Sequence, residues 1–487
     1  MNPALRRTGV VALILLGALL VQVTWVQFIG DERYGDYDDA RTLFVEYEVP
    51  RGTILAGDVV IAQSLESAED SAYDYYRDYP EGDYFGNITG FKSPTRGSSA
   101  MEAAQNEVLN GTSSLFFLDE IGATLTGEER LGGNVVLTLD AELQKAAYEA
   151  LAATGSHGGA VVLDPQTGRV LAQASYPGWN PTAVSANNYE SSTEAWESLI
   201  EDPANPGSDR TRSEWYPPGS TFKTIVAAAF IEGGHGDADT MVPAGNGYTA
   251  PDTDHEITNS SDQCPQSEMT LKEAFKLSCN TTFARLCVET LSEEDILETA
   301  AAFGFGEEFS TPLDSLASTT GDISAQAFRA QACIGQQEVR ETVLQNAVIA
   351  AAVANGGEVM APQMIAEITD SEGTTVQRGG EDSLGDAVSS STAEELREIM
   401  EAVVDEGTGT AARISGHTVG GKTGTAEHST EAHGSEPDHG WFHGWALDDD
   451  GEPTVAVAVF LDSYGSGGSA KAAEISGDLM EQVLSGE

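Results

Sequence analysis

The chain has 487 residues, enough for two or three folded units, and an apolar fraction of 40%, ample for a large core. Lys+Arg number 24 against 78 Asp+Glu, a formal net charge of -54, which repels phosphates and anionic lipid and excludes nucleic acid as a partner. The acid is spread along the whole chain rather than gathered in a tail, the pattern of a soluble surface adapted to high salt.

Arg6 and Arg7 precede an apolar run from Gly9 to Ile29, 21 residues long. As a helix it would span roughly 31 Å, enough to cross a bilayer. It ends Thr24-Trp25-Val26-Gln27-Phe28, with no small-residue cleavage site. A retained single-pass anchor at 9–29 is therefore expected in the cell membrane. Residues 1–8 would form a cytoplasmic tail, and everything from Asp31 onward would lie outside.

Residues 31–153 read as a small pedestal. Val45–Val49 alternates like a strand, 99–109 reads as a short helix ended by Asn110-Gly111, and Val135–Leu139 is a strand. Asp140 is placed to cap a helix from Ala141 to Ala152. Five tyrosines between Tyr73 and Tyr84 fit packing in a unit that is otherwise short of apolar residues.

Residues 154–487 read as one large domain. The runs Ala160–Leu163 and Arg169–Ala172 flank a turn, Asp164-Pro165-Gln166-Thr167-Gly168, which is a hairpin signal. Helical periodicity follows at 221–231, 270–291, 293–303, 340–355 and 392–405. Strands are expected at 417–426, 440–447 and 454–461, then a helix at 469–485. Strands at both ends of a helical middle point to an α/β fold, of the α+β sandwich kind, whose sheet closes late in the chain.

Three short elements carry chemistry. In Ser220-Thr221-Phe222-Lys223 the spacing puts a hydroxyl and an amine on one helix face. Serine is a weak nucleophile until a base takes its proton, and a lysine serves as that base if burial and a second cation lower its pKa. Pro217-Pro218-Gly219 would break the chain before the helix and expose Ser220 at its start, where N–H groups favour a developing oxyanion. Ser278-Cys279-Asn280 supplies a second hydroxyl and an amide. Lys422-Thr423-Gly424-Thr425 sits in a strand-like segment, where Lys422 and Thr423 can grip a carboxylate and Gly424 lets a ligand backbone come close. Each element alone is a common solvated helix pair, helix cap or glycine-bearing strand. Together they are specific, and two of only seven lysines in the chain fall within them.

The order S-x-x-K, S-x-N, K-T-G marks penicillin-binding proteins and class A β-lactamases. The chain resembles a class B penicillin-binding protein, most closely the actinobacterial penicillin-binding protein A group, over nearly its full length. The resemblance takes in the anchor, Arg51-Gly52-Thr53-Ile54-Leu55, Gly133 to Asp140, Tyr216 to Lys223, Ser278 to Phe283 and Lys422 to Glu427. It implies an antiparallel sheet between helices, preceded by the pedestal. It also implies peptidoglycan crosslinking through a serine acyl-enzyme on stem peptides, with β-lactam antibiotics acylating the same serine. Ser220 would be the nucleophile and Lys223 its base, with Ser278 the proton relay and Asn280 positioning Lys223 and substrate. Lys422 and Thr423 would face the substrate carboxylate, and the N–H groups of Ser220 and Thr425 would form the oxyanion hole. No metal or organic cofactor is implied; cell-division or elongation proteins are the expected partners.

Two rival functions stand beside this one. A D,D-carboxypeptidase or β-lactam hydrolase would use the same serine, but no Glu-x-x-Leu-Asn is present for a class A lactamase. A β-lactam sensor or division scaffold would be expected to carry several spans or a cytoplasmic output segment. Cys264 and Cys279 lie 15 apart with Cys279 inside the second element, so a bridge between them would fix Ser278 and Asn280; Cys287–Cys333 is the second candidate. Cys333 stands where relatives often carry serine in Ser-Ile-Gly-Gln, a change expected to lie away from the chemistry. His428, His433, His439 and His443, with Asp438, are read as a loop after the third element rather than as a metal site.

Overall fold

The computed structural model describes residues 15–16, 47–69, 71–116, 131–427 and 437–486. Apart from Leu15 and Leu16, the expected anchor at 9–29 lies outside these residues, as do His428 and His433. Among the described residues no helix is long and apolar enough to cross a membrane.

The core of the larger unit is a five-stranded sheet in the order Val419–Ala426, His439–Leu447, Pro453–Leu461, Gly158–Leu163, Val170–Tyr176, antiparallel throughout. The first and last strands of the chain segment thus meet in one sheet, as the order of predicted elements implies. The strands His439–Leu447 and Pro453–Leu461 are buried on both faces, which explains why Val455–Leu461 reads as an unbroken apolar run rather than an alternating one. The helices Ala141–Thr154 and Gly468–Ser485 cover one face, and Val343–Ala354 covers the other. Val343–Ala354 is buried at every position, and Lys223–Glu232 at all but its last two.

Asp140 caps the helix Ala141–Thr154 by accepting from the N–H groups of Glu142 and Leu143, both at 2.9 Å. That helix, which precedes the boundary expected near 153, packs on the five-stranded sheet. The pedestal sheet is likewise not confined to the first 153 residues. Its strand order is Thr375–Arg378, Ile365–Thr369, Asn134–Leu137, Ile54–Ala56, Val59–Glu66, Tyr75–Asp78. Two of the six strands come from a hairpin beyond residue 360. Asn134 stitches the two parts together: its Oδ1 accepts from Thr53 N at 2.9 Å, and its Nδ2 donates to Asp370 O at 3.0 Å.

Local expectations fail in three places in the pedestal and its flank. Tyr47–Val49 forms a turn and bend rather than a strand, and the helix expected at 99–109 breaks at Gln105 into Ala100–Ala104 and Asn106–Leu109. The helix Tyr189–Glu201 has no counterpart in the periodicity, because it lies on the surface and buries only Ser192. Inside the pedestal, Glu102 is fully buried between two guanidinium groups, its Oε2 2.7 Å from Arg51 Nε and its Oε1 2.5 Å from Arg77 Nε. Burial alone would raise its pKa, but Arg77 and Arg51 hold it below the usual carboxylate range.

Candidate active site

A single turn of 3-10 helix, Gly219–Phe222, leads into the helix Lys223–Glu232 and leaves Ser220 partly exposed at the entrance. Several contacts hold that turn. Trp441 Nε1 donates to Pro217 O at 3.0 Å and Thr221 Oγ1 donates to Pro218 O at 2.9 Å. Gly219 adopts φ +57° and its N–H donates to Gly335 O at 2.9 Å. A Cβ on Gly335 would lie 1.9 Å from Gly219 O, and one on Gly219 would lie 2.3 Å from Thr425 O, so the Ser220 turn is wedged between backbones.

The helix expected over 270–291 is three pieces: Leu271–Lys276, Asn280–Arg285 and a π turn, Leu286–Thr290. The break falls on Ser278, which adopts φ +60°, a strained value for a residue with a side chain. In an unbroken helix Ser278 and Asn280 would point to different faces. The break lets both reach one amine.

That amine belongs to Lys223, which is fully buried. Its Nζ lies 2.7 Å from Asn280 Oδ1, 2.9 Å from Ser278 O, 3.0 Å from Ser220 Oγ and 3.2 Å from Ser278 Oγ. A neutral amine has two protons and one lone pair. Donation to Asn280 Oδ1 and Ser278 O, the two shortest contacts, leaves the lone pair for the Ser220 proton. Burial pushes the Lys223 pKa well below that of an ordinary lysine, and the charge of Lys422 pushes it further. Lys422, also fully buried, donates to Ser278 Oγ at 3.0 Å and to Thr423 O at 2.9 Å; burial lowers its pKa to about 7. Ser278 Oγ thus sits between two lysine amines. Phe283 and Phe275 face those amines at 5.6 and 5.5 Å.

The strand Val419–Ala426 is the edge strand of its sheet, as the third motif requires. Thr425 is exposed on it, and Thr423 is buried to 5% of its surface with its hydroxyl 2.5 Å from that of Thr408. A Cβ on Gly424 would lie 2.7 Å from Pro218 O and 2.9 Å from Trp441 Cβ, so its bareness admits the Ser220 turn.

Both cysteine pairs are bridged, Cys264–Cys279 and Cys287–Cys333, with Cα separations of 6.3 and 6.5 Å. Cys279 stands between Ser278 and Asn280. Cys333 is two residues before Gly335, so the second bridge ties the π turn that follows the Asn280 helix to the segment under Gly219; it is closer to the chemistry than the sequence implies. His439 and His443 are strand residues, not loop. His439 Nδ1 is 3.0 Å from Asp462 Oδ1, and His443 Nε2 is 3.0 Å from Thr224 Oγ1. Burial, then the charge of Lys422, lower the His443 pKa to about 3, so its imidazole is neutral.

Glu341 escaped the sequence reading. It is fully buried, its backbone pairs with Tyr216 at 3.0 Å in both directions, and neither carboxyl oxygen has a hydrogen-bond partner among the described residues. Burial pushes its pKa well above the usual carboxylate range, against the opposing pull of the nearby Thr221 hydroxyl. The folded state therefore keeps a proton that the unfolded chain releases above its ordinary pKa, so stability is lost as pH rises through that interval. Glu341→Met should raise the thermal midpoint at pH 8 by at least about 2 °C and by less at pH 5. Equal shifts at both pH values would mean that the carboxyl is not protonated.

Two family models match the chain: the penicillin binding protein transpeptidase domain over residues 158–481, and the penicillin binding protein A dimerisation domain over 51–135. The peptidoglycan D,D-transpeptidase PbpA of Mycolicibacterium smegmatis is 35% identical over 472 residues, covering 96% of this chain and 94% of that protein. PbpA of Mycobacterium tuberculosis is also 35% identical, over the whole of both. Among solved structures, the imipenem acyl-enzyme complex of penicillin-binding protein A from M. tuberculosis matches with a TM-score of 0.84 at 32% identity, covering 91% of this chain and 100% of that one. The penicillin G acyl-enzyme complex of the same protein matches with a TM-score of 0.82 at 31% identity, covering 90% and 99%. With a serine held by a buried lysine, a second lysine bridged through Ser278, and a family match over most of its length, this chain belongs to the penicillin-binding protein transpeptidases.

Proposed function

We infer that this chain is a peptidoglycan D,D-transpeptidase acting through an acyl-enzyme on Ser220, and a covalent target of β-lactams. The observation that carries the inference is the set of Lys223 contacts, which joins Ser220, Ser278 and Asn280 at one buried amine. Ser220 Oγ attacks the carbonyl carbon of the D-Ala-D-Ala bond while its proton passes to Lys223 Nζ. The oxyanion forms between the N–H groups of Ser220 and Thr425. Ser278 Oγ hands a proton to the leaving D-alanine nitrogen and is replenished by Lys223. The amine of a neighbouring stem peptide then attacks the ester carbonyl, and Ser220 regains its proton. Lys422, Thr423 and Thr425 face the substrate carboxylate.

The chain is held in the cell membrane by residues 9–29, with the N-terminus cytoplasmic and the catalytic unit outside, where disulfides persist. Cell-division or elongation proteins are its natural partners. The family and the M. tuberculosis acyl-enzyme complexes support the acyl-enzyme reading. The test uses the purified full-length protein. Penicillin should give a stable adduct that mass spectrometry places on Ser220, absent in Ser220→Ala, and D-alanine release should rise with an added acceptor amine. Labelling that survives Ser220→Ala rejects the nucleophile. Release indifferent to the acceptor would make the enzyme a carboxypeptidase.

A further inference from the structure

We propose that Thr408, outside all three motifs, is a positioning residue for substrate-carboxylate recognition: its hydroxyl donates to Thr423 Oγ1 and so leaves the Thr423 proton for the incoming carboxylate. The proposal rests on the transpeptidase reading above.

The long helix Ser390–Glu406 ends at Gly407, and the N–H groups of Gly407 and Gly409 both donate to Val403 O, at 3.1 and 3.0 Å. Gly409 is buried, and a Cβ on it would lie 3.1 Å from Val403 Cγ1 and 3.3 Å from Phe442 Cε2. Two backbone bonds to one carbonyl thus fix a tight turn whose apex is Thr408. Thr408 is exposed, yet its hydroxyl lies 2.5 Å from that of Thr423. The Thr423 backbone carbonyl accepts from Lys422 Nζ, so this threonine is held on both sides.

A carboxylate only accepts hydrogen bonds, and a threonine hydroxyl has one proton. If Thr423 donated to Thr408, it would present only lone pairs to a carboxylate and repel it. If Thr408 donates to Thr423, the Thr423 proton is free to turn toward the carboxylate, and the donated bond polarises that O–H further. Thr408 therefore sets the direction in which Thr423 donates.

The experiment measures second-order acylation of Ser220 in full-length protein by penicillin G and by its methyl ester, which lacks the anionic carboxylate. The variants are Thr408→Val, which keeps the shape and removes the hydroxyl, and Thr408→Ser, which keeps the hydroxyl. Thr408→Val should acylate roughly tenfold more slowly with penicillin G, the size of one lost hydrogen bond, and within about twofold of wild type with the ester. Thr408→Ser should stay within about twofold on both. Should Thr408→Val lose its fold, Thr408→Ala carries the same comparison. Equal slowing with both substrates would make Thr408 merely structural, and no slowing with either would remove it from recognition; each overturns the proposal. A wild type that acylates with both substrates at one rate removes the carboxylate site itself and overturns it too. A wild type with no adduct on Ser220 is a separate outcome, which overturns the enzymatic reading on which the proposal stands.

Discussion

Replacing Lys223 with methionine should slow acylation of Ser220 by penicillin about a hundred- to ten-thousandfold, the usual contribution of a positioned general base. Methionine nearly fills the space of the stem, so the loss reports the amine and not a cavity. The effect should be large because one nitrogen lies within 3.2 Å of four oxygens on three residues, and among the described residues it is the group hydrogen-bonded to the Ser220 hydroxyl. The pH profile follows from the same geometry. Lys223 serves as base in its neutral form, and burial and the Lys422 charge favour that form, so acylation should fall as pH drops and the amine protonates. Lys422, with a pKa of about 7, gains charge as pH drops and opposes that protonation. Lys422→Met should therefore weaken acylation and move the acid limb to higher pH. Stopped-flow acylation from pH 5 to 9 measures both. A Lys223→Met rate within tenfold of wild type would transfer the base role elsewhere.

Glu102→Leu should cost about 3–5 kcal/mol, the usual penalty for removing one partner of a buried ion pair. The cost arises because Arg51 and Arg77 stay buried without a counter-charge, at 9% and 2% exposure. Arg51 also donates to Glu102 O at 2.7 Å and to Asn106 Oδ1 at 2.8 Å, and Tyr79 OH donates to Glu102 Oε1 at 3.3 Å. The change should thus loosen the whole contact between the pedestal sheet and the short helices beside it. Urea unfolding followed by far-ultraviolet circular dichroism gives the loss. A cost under about 1 kcal/mol would mean that the pair is solvated in solution. Glu102 and Glu341 make an instructive contrast. Both are fully buried carboxyls, but two arginines pull the pKa of one down while burial pushes that of the other up.

The five-stranded sheet was legible because its strands are long, and Ser220, Lys223, Lys422 and Thr423 stood out because lysine is scarce. The capped helix after Asp140 and the three late strands fall within two residues of the pattern, while the second strand of the hairpin runs on to Tyr176, four residues beyond it. What could not be read depends on distant parts of the chain. Leu271 to Thr290 looks like one helix because its local propensities are unbroken; the left-handed Ser278 is stabilised by two lysines, from residues 223 and 422. The strand Ile54–Ala56 is three residues long and gains its neighbours from 134–137 and, one strand further, 365–369. Glu341 sits in a run whose polarity reads as surface. Thr408 stands among small residues after a helix, which alone reads as an ordinary helix end.

The sharing of the pedestal sheet bears on the order in which the protein comes into being. One side of the strand Asn134–Leu137 pairs with Ile54–Ala56 as soon as both are made, but its other side waits for Ile365–Thr369. Domains usually fold as units in order of synthesis, the N-terminal one first. Here the first unit cannot close until the ribosome has passed residue 369, by which time the nucleophile helix and the disulfide-bearing segment have already been delivered. An open strand edge must meanwhile be kept from pairing with another chain. The same arrangement means that the catalytic unit cannot be cut away cleanly. A fragment beginning at residue 154 would lose the capped helix from its sheet and carry a hairpin with no strand to lie against.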